Sequence, residues 1–133
     1  MSTGARDYCH ATTISSTTAS VPRKDQRRHR GFYEVTRRGV PDRHFYCGNG
    51  TTYGAVHTEV KHNVGYWDQA DECIRGILEY GTRAPAGDGK ATVTRKVGSR
   101  KAIVVYKIST DEILSAYPAW ADSPAARDQC GRW

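Results

Sequence analysis

The stretch Ala91-Thr-Val-Thr-Arg-Lys-Val97, with the turn Gly98-Ser99 and the following Lys101-Ala-Ile-Val-Val-Tyr-Lys-Ile108, decides the fold of this chain. Its first half alternates valines with polar residues, which is typical of a strand with one face in water. Its second half is apolar almost throughout and predicts a strand buried on both faces. The glycine turn between them predicts an antiparallel hairpin.

Outward from the hairpin, Glu112-Ile-Leu-Ser-Ala-Tyr117 predicts a third strand that Pro118 ends, and residues 83–90 predict a loop. Upstream, the chain predicts a helix that ends at Gly81. The apolar side chains of this helix recur at intervals of three and four residues: Trp67, Ala70, Cys73, Ile74, Ile77 and Leu78. Helices thus precede strands, and we expect an α+β fold in which N-terminal helices pack on a small C-terminal antiparallel sheet.

The length of 133 residues fits one domain. We expect a flexible, basic, Ser/Thr-rich arm over 1–30, a single α+β domain over 31–120 and a C-terminal tail over 121–133. Within the domain, Gly31-Phe-Tyr-Glu-Val-Thr36 and His44-Phe-Tyr-Cys47 predict short strands or extended segments. No apolar run approaches the roughly 20 residues of a membrane span, so we expect no membrane association. No secretory leader is recognisable, and we expect a cytoplasmic protein or a toxin module delivered into a target-cell cytoplasm.

Four widely spaced cysteines form no Cys-x-x-Cys pair. The spacing does not support a zinc ribbon or a thioredoxin-like motif, and we expect neither a metal site nor a cofactor. Cys73 is predicted to be a small buried apolar residue, while Cys9 and Cys130 could pair only if the two termini meet. We therefore expect reduced thiols.

The formal charge of +6 is concentrated in residues 21–45, which carry eight basic and three acidic side chains. Two interpretations stay open: a solvated or disordered block, or a contact surface for nucleic acid. A polyanion would be steered toward this block in either case. The candidate nucleic-acid contacts are Arg37, Arg38 and Arg43, together with Arg95 and Lys101 from the predicted hairpin.

A short helix over residues 54–62 is predicted to carry His57 and His62. Histidine is the side chain best suited to moving protons near neutral pH. At about 100° per residue, His57 and Lys61 share a helix face, whereas the two histidines lie about 140° apart, so only one is expected to face a cleft. We favour His57 as the proton carrier. The simpler alternative makes His57 a surface residue and His62 a helix cap.

This histidine helix, the following helix, the antiparallel strands and the final Leu114-Ser-Ala-Tyr-Pro118 resemble the small ribonuclease toxins of the barnase, EndoU, colicin and RelE group. The likeness is nearest to the modules of contact-dependent inhibition and polymorphic toxin systems. Those modules often close with Thr-Ala-Tyr-Pro on the last strand, where this chain has Ser115-Ala-Tyr-Pro118. The resemblance covers about residues 43–118.

The resemblance implies metal-independent cleavage of RNA, possible substrates including tRNA, by attack of a ribose 2′-hydroxyl on the neighbouring phosphate. His57 or His62 would supply the base or the acid, Ser115 and Tyr117 would contact the phosphate, and Lys61, Arg95 or Lys101 would supply a catalytic cation. A toxin of this kind implies an acidic immunity or antitoxin partner.

The competing interpretation is a basic nucleic-acid-binding protein without catalysis, in which aromatic side chains stack on bases. It explains the charge equally well but leaves the histidine helix without a function. A nucleotide-modifying enzyme ranks below both, because the chain shows no dinucleotide-binding fingerprint.

Overall fold

The computed structural model describes Cys9 and residues 31–37, 40–48, 52–121 and 123–133, with the backbone alone for residues 31–37 and 40–42. In chain order, the elements are β1 (Gly31–Arg37), β2 (Val40–Tyr46), α1 (Gly54–Lys61), α2 (Trp67–Tyr80), β3 (Thr82–Gly87), β4 (Lys90–Val97), β5 (Arg100–Lys107), β6 (Glu112–Pro118) and α3 (Pro124–Gly131). The predictions of the helix from Trp67, of the β4–β5 hairpin and of the strand from Glu112 are confirmed.

The six strands form one mixed sheet in the order β1-β2-β6-β5-β4-β3. Strands β2 and β6 are parallel, whereas every other neighbouring pair is antiparallel. The prediction of N-terminal helices on a C-terminal antiparallel sheet is therefore wrong. Strands from both ends of the described chain share the sheet, and helices lie in the middle of the chain and at its C-terminal end. Local periodicity could not show this, because it identifies a strand without identifying its neighbour.

Side-chain contacts with the β5–β6 turn hold β2 beside β6. Arg43 is 8% exposed, and its Nη1 donates to Asp111 Oδ1 at 2.9 Å. The guanidinium carbon of Arg43 lies 4.2 Å from the ring centroid of Tyr106. The backbone N–H of His44 donates to the carbonyl oxygen of Asp111 at 3.0 Å. These contacts are the physical reason that a distant segment joins the sheet.

The segment predicted as a loop over 83–90 contains strand β3, which pairs with β4 at the edge of the sheet. All six β3 residues are exposed. Proline is tolerated in an edge strand because one side of that strand needs no ladder hydrogen bond, and Pro85 belongs to such a strand. The prediction of a loop failed because Pro85, Gly87 and Gly89 resemble turn residues.

The core lies between the sheet and α2, where Cys73, Ile74 and Ile77 are fully buried with Val104 and Ala102 of β5. Residues 121–133, predicted as a tail, include α3, which packs on α2. Ser123 caps α3 by accepting a hydrogen bond from the N–H of Ala126 at 3.2 Å. Among the described residues, no helix is long and apolar enough to cross a membrane.

Two disulfides correct the expectation of reduced thiols. Cys9 is bonded to Cys47, and Cys73 is bonded to Cys130. All four cysteines are buried. Apart from Cys9, the arm predicted over residues 1–30 lies outside the described part of the chain. The Cys73–Cys130 bond joins α2 to α3 and so attaches the C-terminal helix to the core.

Candidate functional site

The face of β4, β5 and β6 turned away from α2 is called the open face here. Directly opposed residues of antiparallel strands point to the same face. Thr92, Val105 and Ser115 oppose one another across the three strands, and Tyr117 opposes Ile103 on the same side. The alternate residues Val93, Val104 and Ala116 belong to the core. The period of two therefore turns the predicted site residues Ser115 and Tyr117 together toward the open face.

A cleft of about 720 Å³ lies between the open face and α1. Its floor includes Val105, Ser115 and Tyr117, and both histidines of the sequence prediction belong to its wall. The complete lining is Thr52, Tyr53, His57, His62, Asp88, Lys90, Val105, Lys107, Glu112, Leu114, Ser115 and Tyr117. The cleft thus brings together both histidines, Ser115 and Tyr117, but none of the three cations predicted to assist catalysis.

His57 and His62 both line the cleft, whereas helical phase predicts that only one of them does. The reason is that α1 ends at Lys61, and His62 is its C-cap with φ −110° and ψ 21°. The departure from helical dihedrals rotates His62 out of phase with the helix. The His62 ring centroid lies 5.3 Å from that of His57 and 4.5 Å from that of Tyr117, against which it stacks at 12°.

Two polar atoms in the lining are buried and have no hydrogen-bond partner among the described residues, His57 Nδ1 and Ser115 Oγ. A buried polar group without a partner costs about 1–3 kcal/mol, so native structures contain few of them. Two such atoms in one cleft are an arrangement expected of a site whose hydrogen bonds are completed by a ligand.

Close backbone packing positions α1. Gly54 begins the helix with φ +95° and Gly48 has φ +69°, and a Cβ built on Gly54 would lie 2.5 Å from the Cα of Gly48. The N–H of Val56 donates to the carbonyl oxygen of Cys47 at 3.0 Å. Only residues without a Cβ allow this approach at these dihedrals.

Polar contacts of Glu59 and His62 join the histidine segment to α2 and α3. Trp67 Nε1 donates to Glu59 Oε2 at 2.6 Å and joins α1 to α2. Arg127 of α3 is 1% exposed, and its Nη2 donates to the carbonyl oxygens of His62 at 3.3 Å and Ala116 at 2.9 Å. Arg127 therefore connects the segment that carries His62 to the strand that carries Tyr117.

The structure separates the remaining predicted residues. Lys61 is exposed and does not belong to the lining of the cleft. Arg43 is buried in the contacts that hold β2, and Arg95 faces the helices, where its Nη2 donates to the carbonyl oxygen of Trp133 at 2.8 Å. Lys101 is on the open face beyond the cleft. The Arg37 side chain and Arg38 lie outside the described part of the chain.

Sequence reasoning missed the charged residues of the lining: Lys90, Lys107, Asp88 and Glu112. Lys90 opposes Lys107 in the hairpin, and Lys107 opposes Glu112 in β6. The hairpin register, once taken from the Gly98-Ser99 turn, would have placed the two lysines side by side. Within the described residues, no group of three His, Cys, Asp or Glu side chains is arranged to hold a metal ion.

No family model, curated protein or solved structure matches this chain. The resemblance to ribonuclease toxins therefore still depends on the short motifs quoted above, and the function has to be argued from the geometry of the site.

The lysines of the hairpin and the charged residues of α2 lie on opposite sides of the sheet. Four lysines project from the open face of the hairpin in two opposed pairs, Lys90 with Lys107 and Lys96 with Lys101. On the other side of the sheet, α2 contains four acidic residues and one basic residue. The four lysines make the open face of the hairpin basic, and they would attract a polyanion toward the cleft.

Proposed function

We propose that the protein is an endoribonuclease that cleaves RNA by attack of a 2′-hydroxyl on the adjacent phosphate. The observation that carries the proposal is the convergence of His57, His62, Ser115 and Tyr117 on one cleft, with a buried unpartnered nitrogen and hydroxyl among them. His57 comes from α1 and His62 from its C-cap, whereas the other two residues come from a strand that is distant in sequence.

The reaction needs one group to accept a proton and one to donate a proton. One histidine removes the proton of the 2′-hydroxyl, whose oxygen then attacks phosphorus while the bond from phosphorus to the 5′-oxygen breaks. The other histidine gives a proton to the leaving 5′-oxygen. The products are a 2′,3′-cyclic phosphate and a free 5′-hydroxyl. We assign the base to His57, the proton carrier favoured from the sequence, and the acid to His62; His57 Nδ1 has no hydrogen-bond partner in the described part of the chain.

Negative charge that grows on the phosphate requires donors and cations already in position. Ser115 Oγ is a donor without a competing partner among the described residues, and Lys90 and Lys107 bring positive charge to the cleft. These lysines replace Lys61 as candidates for the catalytic cation. Asp88 and Glu112 also line the cleft, so a carboxylate base is the mechanistic alternative that an experiment must test.

The two disulfides bear on where such an enzyme acts. Disulfides persist in oxidising compartments and are rare in the cytosol. They favour a toxin that passes through an oxidising environment before it reaches a target-cell cytoplasm over a protein resident in the cytoplasm. A producing cell would need an acidic immunity protein that covers the lysine-bearing open face.

The test is cleavage of total RNA and of purified tRNA in buffer that contains EDTA. We expect cleavage products with 2′,3′-cyclic phosphate ends, and no cleavage of the same sequences with 2′-O-methyl groups. His57→Gln and His62→Gln should each lower kcat by about 10²- to 10⁴-fold, the range for loss of a general acid or base.

His44→Gln is the matched control, because His44 is a strand residue that does not line the cleft. Glu112→Gln distinguishes a carboxylate base from a histidine base. Cleavage that survives both His57→Gln and His62→Gln would contradict the proposal. Binding of RNA without cleavage would favour the non-catalytic interpretation, which the lysines support equally.

A further inference from the structure

A second pocket, of about 360 Å³, adjoins the His62–Tyr117 stack. It is lined by these two rings and by the segment that follows β6, namely Pro118, Ala119, Trp120 and Ala121. We call it the Trp120 pocket. Because His62 and Tyr117 also line the cleft, the two cavities are neighbours that share this aromatic stack.

Small side chains on both sides of Trp120 leave room for an occupant. Ala119 and Ala121 have only a methyl group each, so the space beside the indole is not filled from within the segment. The pocket is therefore bounded by aromatic rings and small apolar groups. The pocket is a shallow depression that is open to solvent.

The indole of Trp120 is held in place from the side of α3. The ring centroid of Trp120 lies 5.1 Å from that of Trp133, with 28° between the planes. The guanidinium carbon of Arg100 lies 5.7 Å from the Trp120 ring centroid. Arg100 is in turn bound to Gln129 through its Nη1 at 2.6 Å. A ring fixed by such neighbours loses little conformational entropy when a ligand packs against it.

We infer that the Trp120 pocket is a subsite for a nucleobase of the RNA strand, next to the phosphate that occupies the cleft. This inference rests on the proposed function. Base and phosphate of one nucleotide are joined by a single sugar, so one nucleotide can place its phosphate in the cleft and its base in the neighbouring pocket. Every base has a π-face that packs on aromatic side chains, and the lining holds three aromatic rings.

The experiment is a binding cycle with a 2′-O-methyl oligonucleotide, which lacks the attacking hydroxyl and cannot be cleaved by the proposed route. The wild-type protein and Trp120→Ala are each titrated with the oligonucleotide and with a set of versions that lack one base at successive positions. We expect Trp120→Ala to weaken binding of the complete oligonucleotide by about 5- to 100-fold, the range for loss of one stacked base.

The expected signature is non-additivity at one position. Removal of the base at that position should weaken binding to the wild-type protein about as much as Trp120→Ala does. Removal of the same base should leave the affinity of Trp120→Ala almost unchanged. Trp120→Phe should retain most of the coupling, because it keeps a ring in the pocket. The salt dependence of binding should not change in either variant, since neither removes a charge.

Tyr66→Ala is the matched control, because Tyr66 is an aromatic residue that is 71% exposed and lies outside both cavities. Additive losses at every position, or equal affinity of wild type and Trp120→Ala, would overturn the subsite. The readout is binding, so the cycle can succeed where the cleavage test fails. If the protein cleaves RNA but the losses in the binding cycle are additive, the proposed nuclease activity stands and the base subsite is wrong.

Discussion

Ser115 has a buried hydroxyl that lacks a hydrogen-bond partner among the described residues, although neighbouring positions of β6 are packed in the core. A hydroxyl of this kind lowers stability unless a ligand uses it, because burial has removed its water. Functional sites often contain polar groups that lower the stability of the fold. Ser115 therefore offers a test in which stability and activity should change in opposite directions.

We predict that Ser115→Ala preserves or raises the free energy of unfolding, by up to about 1 kcal/mol, because it removes an unsatisfied buried group. The same variant should lower kcat for RNA cleavage by about 10²-fold, the effect of losing one donor to a developing oxyanion. Urea denaturation and cleavage kinetics measure the two quantities. Ser99→Ala, in the exposed β4–β5 turn, serves as the control. Lower stability with unchanged kcat would assign Ser115 a structural function.

At the scale of the element, the site depends on the exact start of α1. Gly54 combines φ +95° with direct backbone contact to Gly48, so a methyl group there meets both a dihedral penalty and a steric one. We predict that Gly54→Ala lowers the free energy of unfolding by about 2–5 kcal/mol and moves both histidines. Chemical denaturation measures the loss.

Gly98→Ala provides the matched control for this prediction. Gly98 has φ +61°, but a Cβ there would meet no atom within 4 Å. Its substitution should cost only the dihedral penalty of about 1–2 kcal/mol. Equal losses in the two variants would show that the contact between Gly48 and Gly54 does not position α1.

The elements also show how far the sequence predicts this fold. The stripe of α2 and the alternation of β4 identify their elements, because each pattern is local and continuous. The pairing of β2 with β6 depends on Arg43, which bonds to Asp111 across 68 positions, and no periodicity records that contact. Strand β3 escaped prediction because an edge strand needs no buried face.

In the candidate site, too, local patterns could be predicted from the sequence, whereas long-range pairing could not. Ser115 and Tyr117 could be placed on one face because a strand has a period of two, and the histidines could be assigned to one helix. The mistake over His62 came from treating it as a helical residue, although its φ of −110° departs from the helical value of about −63°. Lys107 and Glu112 line the cleft because the register of β5 and β6 places them opposite each other, and this register could not be predicted from a local pattern.

At the scale of the whole molecule, the second disulfide links the core to the site. Cys73 and Cys130 are separated by 57 positions and join α2 to α3. From α3, Arg127 bonds to the carbonyl oxygens of His62 and Ala116, which flank the cleft wall. Loss of this cross-link should therefore weaken the fold and the placement of His62 together.

We predict that the Cys73→Ala/Cys130→Ala double variant loses about 4 kcal/mol of stability, the loop-closure value for a chain segment of this length. For a protein of this size the loss corresponds to a fall in Tm of about 10 °C or more, which calorimetry measures. Dithiothreitol should lower the Tm of the wild type by at least as much, since it also reduces the Cys9–Cys47 bond. In the double variant, the reductant should act only through that remaining bond. A wild-type Tm that reductant leaves unchanged would contradict the structural function of both disulfides, and with it the preference for an enzyme folded in an oxidising compartment.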